Sequence, residues 1–185
     1  MSVIVIEFVT MDGMVSDPDG SGGTPTGGWL FRHGPETAAG DKFRLGDTLV
    51  DGVMLLGRTT WQAFSRLWPT RTDPFSQRMN AVPKLVASRT LTDTSAWANS
   101  RLIDGELADV VKREQRDVII TGSLSVVHQL MAQDLIDEYR LITLPTILGT
   151  GERLFPLAEQ PTYLECVTAG QQGAVSYARY RREAR

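Results

Sequence analysis

Short apolar runs alternate with helix-like segments through the first two thirds of the chain, and this alternation constrains the fold more than any other feature. Residues 2–9, 53–56, 83–88 and 117–122 are rich in β-branched and aliphatic side chains, as buried strands are. Because strands separated by helices form βαβ units, the sequence predicts a parallel sheet with helices on its faces.

Helix signals fill the intervals between these runs. Pro35 suits the first position of a helix, and Glu36 suits its first turn. The apolar spacing in SLSVVHQLMAQD gives that segment one buried side. The predicted helices are 35–51, 59–65, 105–115 and 123–134, with a further short helix within 68–80.

The last third of the chain changes character. EYRLITLP reads as a long strand, and TYLECVTAG and AVSYARYRR are alternating segments joined by QQG. Two such segments around a short polar turn predict an antiparallel hairpin, so the sheet should be mixed. The length of 185 residues suits a single domain, 1–185.

Composition excludes several classes of function. The net charge is −3, whereas nucleic-acid binders usually carry a basic face. Cys166 is the single cysteine, so no internal disulfide can form, and we expect a cytoplasmic location. The two histidines are far apart and have no zinc-site spacing, so no metal is expected. No apolar run approaches the ~20 residues of a membrane helix, so no membrane partner is expected.

Three strand ends carry glycine, hydroxyl or arginine side chains, at residues 57–60 (GRTT), 88–90 (SRT) and 122–125 (GSLS). In open α/β sheets, ligands bind at the carboxyl ends of parallel strands, where helix N-termini attract phosphates. The pattern therefore favours a ligand with several phosphates. The alternative is that the hydroxyls are only helix N-caps, since neither GxGxxG nor a P-loop lysine is present.

At this point the chain resembles a known family. LLGRTTW, LVASRTL, VIITGSLSVVHQLM and LIDEYRLITLPTILGTGERLF occur in the order found in the dihydrofolate reductase-like superfamily. Within it, the closer match is the branch of the riboflavin-biosynthesis reductase, the C-terminal domain of a bifunctional deaminase-reductase, with its stand-alone relatives. The shared pattern includes Gly122-Ser123, Asp137-Glu138 and the segment 145–155, and it spans about residues 2–182. The resemblance implies a three-layer α/β/α fold with a mixed, mostly parallel sheet.

The resemblance also implies NADPH as cofactor and assigns residues to it. Arginines at two of the strand ends independently favour a 2′-phosphate, hence NADPH over NADH. By resemblance the cofactor-binding residues are Gly57, Arg58, Thr59, Thr60, Ser88, Arg89, Gly122, Ser123, Leu124 and Val126.

The substrate side departs from the family pattern. Asp41 has the spacing of the pterin-anchoring acid, but its setting, TAAGDKF, differs from that motif. Glu7, Asp12 and Asp41 are the carboxylates that could supply a proton, with water as the alternative source. Trp29, Phe31 and Phe64 are candidate substrate-stacking aromatics, and a place in the core is the alternative for each. The zinc signature of the deaminase domain is absent.

The sequence therefore predicts an NADPH-dependent oxidoreductase that transfers hydride to a small heterocyclic substrate. The substrate would be of the riboflavin-pathway pyrimidine type, 5-amino-6-(5-phosphoribosylamino)uracil-like, or pterin-like. The alternatives are a non-catalytic NADP(H)-binding protein and an α/β protein whose junction residues are only helix caps. The resemblance also favours a homodimer, because the C-terminal hairpin offers a sheet edge. The alternative is that Arg179, Arg181 and Arg182 keep that edge soluble.

Overall fold

The computed structural model describes residues 1–34, 37, 45–46, 48–157 and 160–183, and its frame is an eight-stranded sheet. The strands are β1 (Val3–Thr10), β2 (Val53–Gly57), β3 (Lys84–Ala87), β4 (Ser100–Leu102), β5 (Val118–Thr121), β6 (Glu138–Leu144), β7 (Leu164–Gln172) and β8 (Val175–Arg182). The helices are α1 (Thr48–Asp51), α2 (Arg58–Leu67), α3 (Pro74–Ala81), α4 (Leu107–Arg113) and α5 (Leu124–Ala132), with 3-10 helices at Trp29–His33 and Trp68–Thr70.

The strand order is β4-β3-β2-β5-β1-β6-β8-β7. β2 pairs in parallel with β3 and β5, and β3 pairs in parallel with β4. β8 pairs antiparallel with both β6 and β7. The predicted α/β class, with a mixed, mostly parallel sheet and a closing antiparallel hairpin, is confirmed.

The chain forms two compact units. The first unit contains Met1–Val5 and Leu45–Asp137. Its β2 and β5 strands are buried along their whole length, which explains why both read as unbroken apolar runs. Beside them, Lys84 is buried, and its Nζ donates to the carbonyls of Asn80, Val82 and Ala98. Burial lowers the pKa of Lys84 to about 8.

The second unit contains Ile6–Arg44 and Glu138–Arg185. Its β7–β8 hairpin turns through two residues, because Gln172 pairs with Val175 and Gly173 adopts a φ of +58°. Glu138 is buried and accepts hydrogen bonds from Arg140 and Arg179. Burial alone would raise the pKa of Glu138, but these two arginines lower it below its usual value.

Three predictions differ from the structure or fall outside it. Strand β4 was not predicted, because three residues are too few for an alternation signal. The expected helix 35–51 is seen only as Thr48–Asp51, and residues 35, 36, 38–44 and 47 lie outside the described part. The alternative that the hydroxyls after β3 are helix N-caps does not hold, because residues 88–99 contain no helix. The single-domain assignment stays a prediction.

Candidate functional site

The register of the first unit brings the three predicted strand ends together. Gly57, the last residue of β2, pairs with Ala87, the last residue of β3. On its other side β2 pairs with β5, with Val53 opposite Val118. Because these strands are parallel neighbours, residues 57–60, 88–90 and 122–126 follow adjacent strands at one edge. We call these residues the cofactor edge, after the function that the sequence predicts for them.

Two helices begin at the cofactor edge without a side-chain cap. α2 follows Gly57 and α5 follows Ser123, and neither N-cap residue makes a side-chain hydrogen bond to its own helix. The first backbone N–H groups of a helix have no intrahelical acceptor and carry partial positive charge. Neither Gly57 nor Ser123 therefore caps its own helix through a side chain.

The hydroxyls at these two strand ends instead connect them. Ser123 Oγ accepts a 2.9 Å hydrogen bond from Gly57 N–H, and Ser123 N–H donates across 2.9 Å to Thr60 Oγ1. Gly122 has a φ of +65°, and a Cβ there would lie 3.0 Å from Thr60 Cγ2. Gly122 is thus required by the protein's own packing.

Gly57 is a different kind of glycine. Its φ of −75° and ψ of 162° are open to any residue. A Cβ at Gly57 would lie 3.5 Å from Val126 Cγ2 and 3.7 Å from Ser123 Cβ, which are ordinary contacts. Nothing in the described protein requires glycine at this position. A glycine that packing does not need, placed beside two helix N-termini, fits close approach by a ligand.

Cationic and polar side chains surround this edge. Arg58, Thr59 and Arg89 are exposed. Ser88 Oγ accepts from the N–H groups of Thr90 (3.2 Å) and Leu91 (2.9 Å), so this hydroxyl closes a turn after β3. The remaining two predicted cofactor residues are apolar: Val126 is buried, whereas Leu124 is half-buried.

The strand-end loops of the second unit are built differently. Asp12, just after β1, accepts hydrogen bonds from Thr10 Oγ1, Leu148 N–H and Gly149 N–H. The bonds from Thr10 and Gly149 lower the pKa of Asp12, so an even smaller fraction of its carboxyl carries a proton at neutral pH than in a free aspartic acid. Asp12 remains a catalytic prediction, but its observed contacts fasten two loops together.

The sequence did not predict that these two loops are held together, although the segment 145–155 is part of its family pattern. Val15 N–H donates to Glu152 O, and Leu154 N–H donates to Gly13 O. Gly151 has a φ of +127°, and a Cβ there would lie 2.5 Å from Ser16 Oγ. The glycines of LGTG therefore allow residues 146–154 to lie against residues 10–16. We call this pair of segments the clamp.

The other predicted site residues are distributed over both units. Glu7 is buried in β1, and Asp41 lies outside the described residues. Trp29 and Phe31 belong to the second unit: Trp29 is buried and donates through Nε1 to Ser16 O, whereas Phe31 is exposed. Phe64 belongs to the first unit, where its ring makes edge contacts with Trp68 and Trp97. The assignment of the three aromatics to a substrate pocket stays a prediction.

Comparison with known proteins shows the family to which the chain belongs. Residues 1–175 match the RibD C-terminal domain. The chain belongs to that family. RibD C-terminal domain proteins are riboflavin-pathway-type reductases, and membership supports an oxidoreductase in general.

Individual relatives agree with this placement. The chain is 25% identical over 173 residues to YyaP, an uncharacterized protein of Bacillus subtilis (strain 168), covering 89% of this chain and 86% of YyaP. A Shewanella sp. PV-4 structure, provisionally described as a riboflavin biosynthesis protein, superposes with a TM-score of 0.77 at 19% identity, covering 100% of both chains. The structure of a pyrimidine reductase-like protein of Corynebacterium diphtheriae superposes with a TM-score of 0.64 at 12% identity. The match covers 100% of this chain and 92% of that protein's chain. These two structures support the shared fold.

Two further observations bear on the expected ligands. Within the described ranges, no group of three or more histidine, cysteine, aspartate or glutamate side chains could hold a metal ion. Over the same part of the chain, none of the helices has both the length and the apolar character that crossing a bilayer requires.

Proposed function

We propose that this protein is an NADPH-dependent reductase of a small heterocyclic substrate. The observation that carries the proposal is Gly57, whose missing side chain the protein's own packing does not require. It lies beside the N-termini of α2 and α5, which are not capped by side chains. A dinucleotide with adjacent phosphates fits such an arrangement, because its oxygens accept backbone N–H hydrogen bonds.

Each part of the cofactor edge would have a separate task. The N-termini of α2 and α5 would hold the pyrophosphate, and Gly57 would allow the phosphate to approach the backbone. Arg89 and Ser88, on the neighbouring strand end, would bind the adenosine 2′-phosphate, for which an exposed guanidinium is well suited. The bound cofactor would supply a hydride from its nicotinamide, while the protein supplies binding and orientation.

The substrate we propose is of the riboflavin-pathway pyrimidine type or pterin-like. Support comes from membership of the RibD C-terminal domain family and from the pyrimidine reductase-like description of the Corynebacterium diphtheriae protein. Trp29, Phe31 and Phe64 remain the candidates for stacking on a heterocycle, and Phe31 is the exposed member of the three.

A non-catalytic NADP(H)-binding protein is the second candidate, and one observation favours it. The Asp12 carboxylate is engaged by Thr10, Leu148 and Gly149, and its pKa is lowered. A reductase of this type would therefore need its proton from water, Glu7 or Asp41. A protein that has lost the reaction would need no donor.

We further propose a cytoplasmic homodimer. β7 is the last strand of the sheet, and seven of its nine residues, LECVTAGQQ, are exposed. Long edge strands with few charges pair readily with a second strand. Cys166 on this strand is an exposed free thiol, which is compatible with a reducing compartment.

Turnover separates the two candidate functions. Purified protein would be mixed with NADPH and, in turn, with a reducible ribosylaminopyrimidine, a dihydropterin and a quinone, and loss of NADPH absorbance would be followed. We expect oxidation with the pyrimidine or the pterin. Tight NADPH binding without oxidation across this panel would favour the non-catalytic protein.

A further inference from the structure

We infer that Thr60 and Ser123 are positioning residues that lock the N-terminus of α2 to that of α5. The inference rests on the proposed function, since the two helix ends are where the phosphates would bind. It gives the two hydroxyls a role different from that of simple phosphate ligands: they fix the relative placement of the groups that bind the phosphates.

The lock consists of two reciprocal hydrogen bonds. Gly57 N–H donates to Ser123 Oγ, and Ser123 N–H donates to Thr60 Oγ1, each across 2.9 Å. Gly57 precedes α2, Thr60 lies in its first turn, and Ser123 is the N-cap residue of α5. One residue of the third strand end thus holds two residues of the first, although 66 and 63 positions separate the partners in sequence.

Ser123 has an uncommon backbone conformation, which supports a use for its side chain. Its φ of 61° and ψ of 46° lie in the left-handed region, where glycine is preferred. Within the described part of the chain, its hydroxyl makes one hydrogen bond, the one from Gly57. A function for this hydrogen bond would explain why serine, and not the glycine that this conformation favours, occupies position 123.

The direction of the hydrogen bonds also leaves the site suited to an anion. Both hydroxyl oxygens act as acceptors toward the backbone. Among the described residues, neither hydroxyl donates to a protein acceptor, so no acceptor among these residues draws the hydroxyl hydrogens away from a bound anion. The lock and the proposed phosphate site are therefore compatible in their hydrogen bonding.

Hydrogen exchange and cofactor titration together test the lock. Thr60→Val, Ser123→Ala, Ser123→Gly and the double variant Thr60→Val/Ser123→Ala would be compared with wild type. Ser65→Ala is the matched control, because the Ser65 hydroxyl donates to Gln62 O within α2 and, among the described residues, makes no other hydrogen bond. We expect each lock variant to bind NADPH about 10-fold more weakly, the change expected from one good hydrogen bond.

Two features separate a lock from two independent ligands. The double variant should bind no more weakly than the weaker single variant, because breaking either bond already releases the helix ends. The ratio of NADPH to NADH affinity should stay within about twofold of wild type, since the lock does not contact the 2′-phosphate. Additive losses, or wild-type affinity in Ser123→Ala, would overturn the inference.

Ser123→Gly separates the bond from the backbone strain. Glycine relieves the left-handed conformation, so this variant should be at least as stable as Ser123→Ala but should bind NADPH equally weakly. If wild type binds neither cofactor, the proposed function fails, yet the lock is still measured by exchange. The Gly57 and Ser123 amides should then exchange about 10-fold faster in the lock variants than in Ser65→Ala, and unchanged protection would refute the lock.

Discussion

The cofactor edge and the clamp are made from the same kinds of residues but use them in opposite ways. At the cofactor edge, α2 and α5 start without side-chain caps, and Arg58 and Arg89 extend into solvent. In the clamp, backbone N–H groups of residues 148 and 149 are bound by Asp12. Glycine and hydroxyl residues after a strand therefore do not by themselves indicate a binding site. A binding site is instead distinguished by polar groups that have no partner within the protein and can therefore bind a ligand.

The glycines show the same contrast. Gly151 in the clamp has a positive φ and no room for a Cβ beside Ser16. Gly57 at the cofactor edge has an ordinary φ and room for a Cβ. Packing thus accounts for Gly151, whereas nothing in the described protein requires glycine at position 57. Substitutions at these two positions should separate stability from binding.

The largest effect is expected from Gly57→Ala. The new methyl group would occupy the space left for the ligand, so NADPH should bind about 100-fold more weakly or not at all. The free energy of unfolding should change by less than about 1 kcal/mol, because the backbone conformation suits alanine. Calorimetric titration and urea unfolding measure the two quantities. A Gly57→Ala protein with wild-type affinity would show that no ligand approaches this residue.

Gly151→Ala should give the reverse result. Its methyl group would meet Ser16 Oγ, and its backbone would be strained at a φ of +127°. We expect a loss of about 2 kcal/mol in the free energy of unfolding. The NADPH dissociation constant should stay within about twofold of wild type. A large loss of affinity at unchanged stability would show that the clamp takes part in cofactor binding.

Arg89→Ala should change cofactor preference. Loss of the guanidinium should weaken NADPH binding about 10-fold, because a charge-assisted contact to the 2′-phosphate is removed. NADH binding should be nearly unchanged. Arg66→Ala is the matched control, since Arg66 is an exposed arginine at the other end of α2. Equal weakening of both cofactors would contradict the assignment of Arg89 to the 2′-phosphate.

The smallest effect is expected from Asp12→Asn. The amide cannot accept from all three donors of Asp12, so the free energy of unfolding should fall by about 1 kcal/mol at neutral pH. Hydrogen bonding lowers the folded pKa of Asp12 below 3.8, so the carboxylate stabilises the fold above that pH and this contribution is lost as the pH falls through the folded pKa. The difference between wild type and variant should therefore shrink in acid. A difference that does not change with pH would show that the charge of Asp12 is not involved.

Sequence patterns predicted the sheet and the alignment of its strand ends well for a physical reason. The β2 and β5 strands are buried on both faces, so their apolar runs are unbroken, and the alternating C-terminal segments pair as β7 and β8. The pairing of Gly57 with Ala87 then follows from parallel neighbours ending at one edge. These features depend on local sequence patterns, which is why the sequence alone predicts them.

Other features depend on contacts between distant residues and were not predictable in the same way. The hydrogen bonds from Gly149 to Asp12 and from Gly57 to Ser123 join residues that are 137 and 66 positions apart. A serine or an aspartate has the same sequence signature whether it binds a ligand or another loop. The missing helix after β3 has a related cause, because the Ser88 hydroxyl that resembled a helix cap closes a turn instead.

The most direct test of the central claim is a calorimetric titration of wild type and Gly57→Ala with NADPH and with NADH. The account predicts that wild type binds NADPH more tightly than NADH and that Gly57→Ala loses both cofactors while remaining folded. Equal affinity of wild type for the two cofactors would remove the 2′-phosphate assignment. If wild type bound neither cofactor, the proposal that the cofactor edge binds a dinucleotide would be contradicted.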